Sequence, residues 1–324
     1  MRGTLIASLI AACAAGIVAA RAGAADSYPV RPVRIIVPFA PGGGTDILAR
    51  ILGARLNDRL GQNFIVDNRP AGSGIVGAEI AARSAPDGYT LLCAYSSLAS
   101  SAPLFSRLPY DPVRDFSPII LIATSQLVLL AHPSLPAANV RELIAYAKAN
   151  PNKLNYGSSG PGSTPHLAFE LMNSMAGIQM THIVYKGIAP AVAAQLGNEV
   201  QLSLTPVVVS LPHMKTGRLR ALAVGGLQRA ATLPDIPTIN ESGLPGFEVI
   251  AWYGMLAPAR TPRPLIELLN KEIRAVIEIP DVKRNLLEQG LDPAPGTPEQ
   301  FAALIKSDME KWGAVGKRLG IKLD

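Results

Sequence analysis

The stretch Val33-Arg-Ile-Ile-Val-Pro-Phe-Ala-Pro-Gly-Gly-Gly-Thr-Asp46 decides the fold. Val33–Phe39 is rich in β-branched residues and reads as a strand, which Ala40, Pro41 and three glycines end. Thr45-Asp46 then opens a segment with apolar residues at Ile47, Leu48, Ile51, Leu52 and Leu56, which is helical spacing. Gly61 stops that helix, a strand follows at Asn63–Asp67, a helix at Ile75–Arg83 and a strand at Tyr89–Ala94. Alternation with short loops predicts an α/β fold built on a parallel, doubly wound sheet.

The pattern restarts after Pro136. A helix is expected over Asn139–Ala149, strands at Lys153–Tyr156, Gln179–Val184, Gln201–Thr205 and Arg220–Val224, and a helix at His166–Met175. Val249–Ala257 then reads as a strand, followed by helices at Pro264–Ile277, Asp281–Gln289 and Pro298–Leu319. Three terminal helices need a sheet to cover, so they are expected to return to the first unit. The expected organisation is therefore one domain from 26–124 plus 250–324 and an inserted one at 125–249. Two crossings between them make a hinge, and the space between them a cleft.

The chain has 324 residues, 48% of them apolar and 17% charged, with Lys plus Arg at 30 against Asp plus Glu at 24. That excludes a disordered chain, and two cysteines exclude a disulfide scaffold. A pI near 9.4 comes without any basic run, so no nucleic-acid partner is expected. Residues 1–25 begin with Arg2, continue uncharged from Gly3 to Ala20 and end in small residues, the layout of an export signal. Cleavage is expected near Ala24 or Ala25, and loss of Arg2 and Arg21 takes the charge from +6 to +4. Ile10-Ala-Ala-Cys13 also fits a lipidation box, although the apolar stretch before it is short. The mature protein is expected to be soluble and exported, with Cys93 as a small buried hydrophobe.

A strand, a Gly/Pro/Ser/Thr loop and a helix start occur together twice. The copies are Phe39-Ala-Pro-Gly42-Gly43-Gly44-Thr45-Asp46 and Tyr156-Gly-Ser158-Ser159-Gly-Pro-Gly-Ser163-Thr164-Pro-His166. Helix N-termini offer unpaired N–H groups and about half a positive charge, and glycine lets backbone approach a ligand. In doubly wound sheets such loops lie at the carboxyl ends of strands, where ligands bind. Neither loop holds Lys or Arg, the first lacks the Gly-Lys-Ser/Thr of a phosphate loop, and it lacks the third glycine of a dinucleotide fingerprint. A small organic mono- or dicarboxylate is expected. Asp46 would repel it, so that carboxylate either turns away as a cap or orders water between loop and ligand.

Further candidates are Ser96 past the third strand, the N–H groups of Ile188 and Ala189 in Tyr185-Lys-Gly-Ile-Ala-Pro190, Thr205, and Phe39 and Trp252-Tyr253 as flat apolar walls. His166 stands at a helix start, where it is able to donate to a ligand. Catalytic constellations are missing: there is no G-x-S-x-G elbow, and His132, His166, His182 and His213 have no metal-ligand spacing. No enzyme and no cofactor are expected. The competing readings are a carboxylate-sensing co-receptor for signalling and an exported α/β hydrolase or lyase.

From Tyr28 to Asp324 the chain resembles the Bug family, periplasmic solute receptors of tripartite tricarboxylate transporters. The resemblance rests on Tyr28–Asp46, Asn68-Arg-Pro70, Pro86–Leu92, Leu108–Phe116, Pro151–Tyr156, Tyr185-Lys-Gly187, Gly217–Val224, Leu233–Thr238 and Gly243–Phe247. It implies a type II periplasmic-binding-protein fold, a monomer in the periplasm, two loops pinching a ligand carboxylate partly through water, and membrane transporter components as partners. Family members often carry Val-Asp-Leu-Met-Phe-Asp where this chain has Val200-Gln-Leu-Ser-Leu-Thr205, and Ser96–Phe105 lacks the usual Asn-Pro. Thr205 in place of an acid implies a ligand without an ammonium group.

Overall fold

The computed structural model describes residues 28–323. The export signal expected at 1–25, with Cys13, Ala24 and Ala25, lies outside them.

The first elements are β1 (Val33–Val37), α1 (Gly44–Leu60), β2 (Phe64–Asn68), α2 (Ile75–Ala82), β3 (Thr90–Tyr95) and the short α3 (Ser97–Ser100). Strands β1, β2 and β3 run parallel, with β1 in the middle. Both faces are covered at β1 and β3, whose residues are mostly buried and apolar, whereas β2 is an edge strand with Ile65 exposed and Asp67 paired to Arg34. Ile35 and Val37 share a core with Leu48 and Leu52 of α1, whereas Ile36 faces the other way to Ala78 and Ala81 of α2.

A 16-residue strand follows, β4 (Phe116–Ala131). It leads to α4 (Val140–Ala149), β5 (Asn155–Ser158), α5 (Thr164–Ala176), β6 (Thr181–Val184) and α6 (Ile188–Leu196). Then come β7 (Leu202–Pro206), α7 (Val207–Lys215) and β8 (Arg220–Val224). The chain returns through β9 (Ile250–Pro258) and closes with α8 (Arg263–Ile277), α9 (Pro280–Glu288), β10 (Asp292–Pro293) and α10 (Pro298–Leu319).

The sheet order is β2-β1-β3-β9-β4-β7-β5-β6, with β8 and β10 also on β4. It is not uniformly parallel, which corrects the sequence expectation. β9 is antiparallel to both β3 and β4, and β4 is antiparallel to β7 and β8. The reason is connectivity: β4 carries the chain out of the first strand group and β9 brings it back, so the two run in opposite directions. Along β4, residues Phe116–Gln126 pair with β9 and Leu127–Ala131 pair with β7 and β8. Strand β4 had no counterpart in the sequence reading. Pro118 and the polar pair Ser125-Gln126 interrupt its pattern, and a register shift lies between Pro118 and Ile120, where proline offers no N–H to the ladder.

The terminal helices lie on the first strand group. Trp252 on β9 donates through Nε1 to Asp308 of α10 at 2.6 Å, and Asn270 of α8 donates to the Ile119 carbonyl at 2.8 Å. Helix α8 buries Leu265, Ile266, Leu269, Ile273, Val276 and Ile277, an i, i+3/i+4 stripe. Each such side chain removed from water contributes about 1.5–3 kcal/mol.

Candidate functional site

Four helices begin at one cavity. Gly43, Gly44 and Thr45 at the start of α1, Pro165 of α5, Ile188 of α6 and Pro206 just before α7 all line it, with Phe39, Tyr95, Ser159 and Tyr253. First-turn N–H groups have no intrahelical acceptor, and each helix start carries about half a positive charge. No charged side chain is in this lining. The cavity is narrow, with about 20 Å³ open to the centre of a water molecule, room for about one or two waters.

The two glycine-bearing loops are built alike. Gly42 and Gly162 both adopt positive φ, 84° and 76°, a conformation costly for other residues. The Gly42 N–H donates to Asp46 Oδ2 at 3.0 Å, and the Gly162 N–H donates to His166 Nδ1 at 3.0 Å. In each loop the side chain at the third helical position reaches back four residues and fixes the turn before the helix.

Asp46 is not part of the cavity wall. Asn68 Nδ2 donates to its Oδ1 at 3.0 Å, Arg50 Nε to its Oδ2 at 3.0 Å, and Arg50 pairs with Oδ1 at 3.0 Å. Burial raises its carboxyl, but the bonds from Arg50, Gly42 and Asn68 and the Arg50 charge outweigh that and hold it below the ordinary carboxylate range. Of the two roles open to Asp46, turning away describes the geometry. The residue capping α1 is Gly43, not Thr45 or Asp46.

His166 begins a stacked column. Its ring lies 4.3 Å from that of His182, His182 lies 5.0 Å from Tyr156, and Tyr156 lies 4.1 Å from Phe169. His182 Nε2 and the Ser158 hydroxyl are 2.6 Å apart, and Ser158 accepts from the Gly160 N–H at 3.0 Å. Burial lowers both imidazoles to about 4, with His166 adding to the effect on His182 and Glu170 opposing it. With Nδ1 accepting from Gly162, the neutral His166 carries its proton on Nε2.

Of the expected residues, Phe39, Gly43, Gly44, Thr45 and Ser159 line the cavity. Ser163 caps α5 by accepting from the His166 N–H, and Ser96 and Thr164 meet each other at 2.8 Å. Ser158 orders the second loop. Gly42 and Ala189 face each other across a neighbouring groove, where a β-carbon on Gly42 would lie 3.6 Å from that of Ala189. Thr205 does not line the cavity although its neighbour Pro206 does: it is fully buried and bonded to Ser203 at 2.9 Å, and Ser203 donates to Gln195 at 2.6 Å. Residues 203 and 205 share a strand face, on which Ser203 meets the buried Gln195 of α6. Lys186 lines an outer groove of about 630 Å³ with Pro70–Ser73 and Pro161, not the cavity itself.

Tyr95, Pro165 and Pro206 are lining residues that the sequence reading did not single out, while Ile188 and Tyr253, expected as an N–H donor and as a flat wall, do line it. Tyr95 and Tyr253 are register partners on β3 and β9, so both rings leave the sheet on one face, with centroids 5.2 Å apart. A signal for Tyr95 was present, since it ends a parallel strand immediately before Ser96. Cys93, two residues earlier, is fully buried, and burial raises its thiol to about 12. Among the described residues no group of three or more His, Cys, Asp or Glu is placed to hold a metal.

Residues 48–321 match the model of the tripartite tricarboxylate transporter family receptor. The chain belongs to this family. Receptors of the family are periplasmic and bind solutes. The chain is 37% identical over 301 residues to protein BugT of Bordetella pertussis, covering 92% of each. R. palustris Rpa4515 with adipate superposes with a TM-score of 0.88 at 36% identity, over 91% of this chain and 99% of that one. MatC (Rpa3494) from Rhodopseudomonas palustris with bound malate gives 0.86 at 31% identity, over 89% and 99%. The type II periplasmic-binding-protein-like fold expected from the resemblance is that of these receptors.

Proposed function

We propose that this chain captures a small organic mono- or dicarboxylate in the cavity and presents it to the membrane components of a tripartite tricarboxylate transporter. The observation that carries the reading is the convergence of four helix starts on a cavity with no charged side chain. Such a site neutralises an anion with backbone dipoles, and enclosure strengthens each charge-assisted bond. Adipate and malate in related receptors support the same ligand class.

In this reading the lobes are 26–124 plus 250–324 and 125–249, and they turn about β4 near Gln126 and about the start of β9. Parting of the lobes is required for entry, because the cavity holds only about one or two waters. The Ala40 N–H donates to the Lys186 carbonyl at 3.4 Å, and the Ser96–Thr164 contact completes a pair of latches. The receptor acts as a monomer without a catalytic step, after removal of the signal near Ala24 or Ala25.

The test is a thermal-shift screen of ligand-stripped protein against organic acids. A ligand at one hundred times its Kd adds about 2.7 kcal/mol of stability. A melting temperature that no acid moves would overturn the reading.

A further inference from the structure

Two buried phenols in the cavity wall lack a well-formed hydrogen bond. Tyr253 is 0% exposed and Tyr95 is 7% exposed; the Tyr253 hydroxyl has no partner among the described residues, and that of Tyr95 has only Ser96 nearby, without a well-formed hydrogen bond. Leaving a buried donor unpaired costs about 1–3 kcal/mol, so an orphan hydroxyl in a cavity wall points to a ligand atom that completes it. Their positions agree. A β-carbon built on Gly44 would overlap the Tyr253 hydroxyl, which therefore lies directly against the N-terminus of α1. Tyr95 stands beside it in register, and Phe39 packs edge-on against Tyr95 at 6.0 Å.

We propose that the hydroxyls of Tyr253 and Tyr95 donate to oxygen atoms of the bound acid, alongside the first-turn N–H groups of α1. The inference deepens the receptor reading and rests on it. It makes the two tyrosines specificity-determining residues and narrows the ligand. The phenols and the helix starts supply donors only to acceptor oxygens. Phe39, Pro165, Ile188 and Pro206 supply an apolar wall for a hydrocarbon stem. No carboxylate lines the cavity to meet an ammonium, Asp46 being held by Arg50 and Asn68. The ligand class is a small carboxylate with an apolar stem and no amino group. Burial raises both phenols, with Ser96 opposing it at Tyr95, so both hydroxyls keep their protons near neutral pH.

The variants are Tyr253→Phe and Tyr95→Phe, which remove the hydroxyl and keep the ring. The experiment measures calorimetric Kd for a series of linear mono- and dicarboxylates, adipate and malate among them, and for the amino acids of matching length. Melting temperature without ligand is measured alongside. Hydrogen bonds to charged groups predict a loss of affinity of about tenfold to a hundredfold in Tyr253→Phe. The melting temperature without ligand should hold or rise, because the change removes an unpaired polar atom. A structural role for the hydroxyls would not produce opposite signs in the two measurements. Wild-type binding that persists at equal affinity in both variants would overturn the inference and leave the receptor reading standing. Affinity and melting temperature falling together would also overturn it, as would tighter binding of the amino acids than of the plain acids. A wild-type protein that binds none of the acids would overturn the receptor reading and this inference with it.

Discussion

The hydroxyl of Ser96 lies 2.8 Å from that of Thr164, and both are almost fully buried. Ser96 follows β3 and Thr164 opens α5, so this one bond ties the two strand groups together beside the cavity. Either oxygen is able to donate, and neither residue lines the cavity wall.

Ser96→Ala is expected to weaken ligand binding through the closed arrangement while leaving each lobe intact. Loss of one partner in a buried bond costs about 1–3 kcal/mol, which is about fivefold to a hundredfold in Kd if it falls on closure. Calorimetry on Ser96→Ala, with circular dichroism as the fold check, measures it. Unchanged affinity would remove the latch from the mechanism.

Asp46→Asn should destabilise the protein without improving binding. The carboxylate accepts from Gly42, Asn68 and Arg50, and an amide loses the charge and half of the acceptor capacity. A loss of about 1–3 kcal/mol is expected, read as a lower denaturation midpoint. If Asp46 instead repelled the ligand through a shared water, the amide would bind tighter, and that result would reinstate the water-ordering role.

Stability should decline as pH falls from about 6.5 toward 4. His166 and His182 are both lowered to about 4 in the folded protein, against 6.5 as ordinary imidazoles. Their contribution is fully present above the unfolded value and is lost as pH drops through the folded one, since the unfolded chain takes up the protons first. Urea midpoints across this range should fall, and His182→Gln should flatten the slope. An equal slope in that variant would assign the loss to other groups.

Gly44→Ala places a methyl group where the Tyr253 hydroxyl sits, with a Val208 methyl 3.1 Å away. The helix tolerates alanine there, so the fold should survive at a cost of about 1–3 kcal/mol from overpacking. Ligand affinity should drop at least about tenfold, because the added carbon stands between the first turn of α1 and the anion. Equal affinity by calorimetry would place the carboxylate elsewhere in the cavity.

The glycine loops were legible because helix-start chemistry is local: a strand, a turn and an apolar stripe within the twenty-four residues from Val33 to Leu56 define it. The same holds for Ser163, whose capping role needs only His166 three residues on. Tyr253 was legible only as a flat apolar wall, because its place against α1 depends on β9 lying antiparallel to β3, a pairing across about 158 residues. The surroundings of Thr205 were not legible for a related reason. Strand parity decides whether it faces cavity or interior, and parity is set by partners far along the chain. Strand β4 escaped because its long run serves two sets of partners in turn, so no single burial period runs through it.

That shared strand limits how the molecule can be taken apart. Cutting between Gln126 and Leu127 leaves one fragment without the template for β7 and β8, and the other with a truncated edge beside β9. Neither piece is a portable module. Lobe exchange between related receptors must carry β4 and β9 as one graft, and recombination breakpoints in this family should fall outside them. Swapping chimeras joined inside β4 against chimeras joined in the loops before and after it would expose that boundary as a difference in soluble yield.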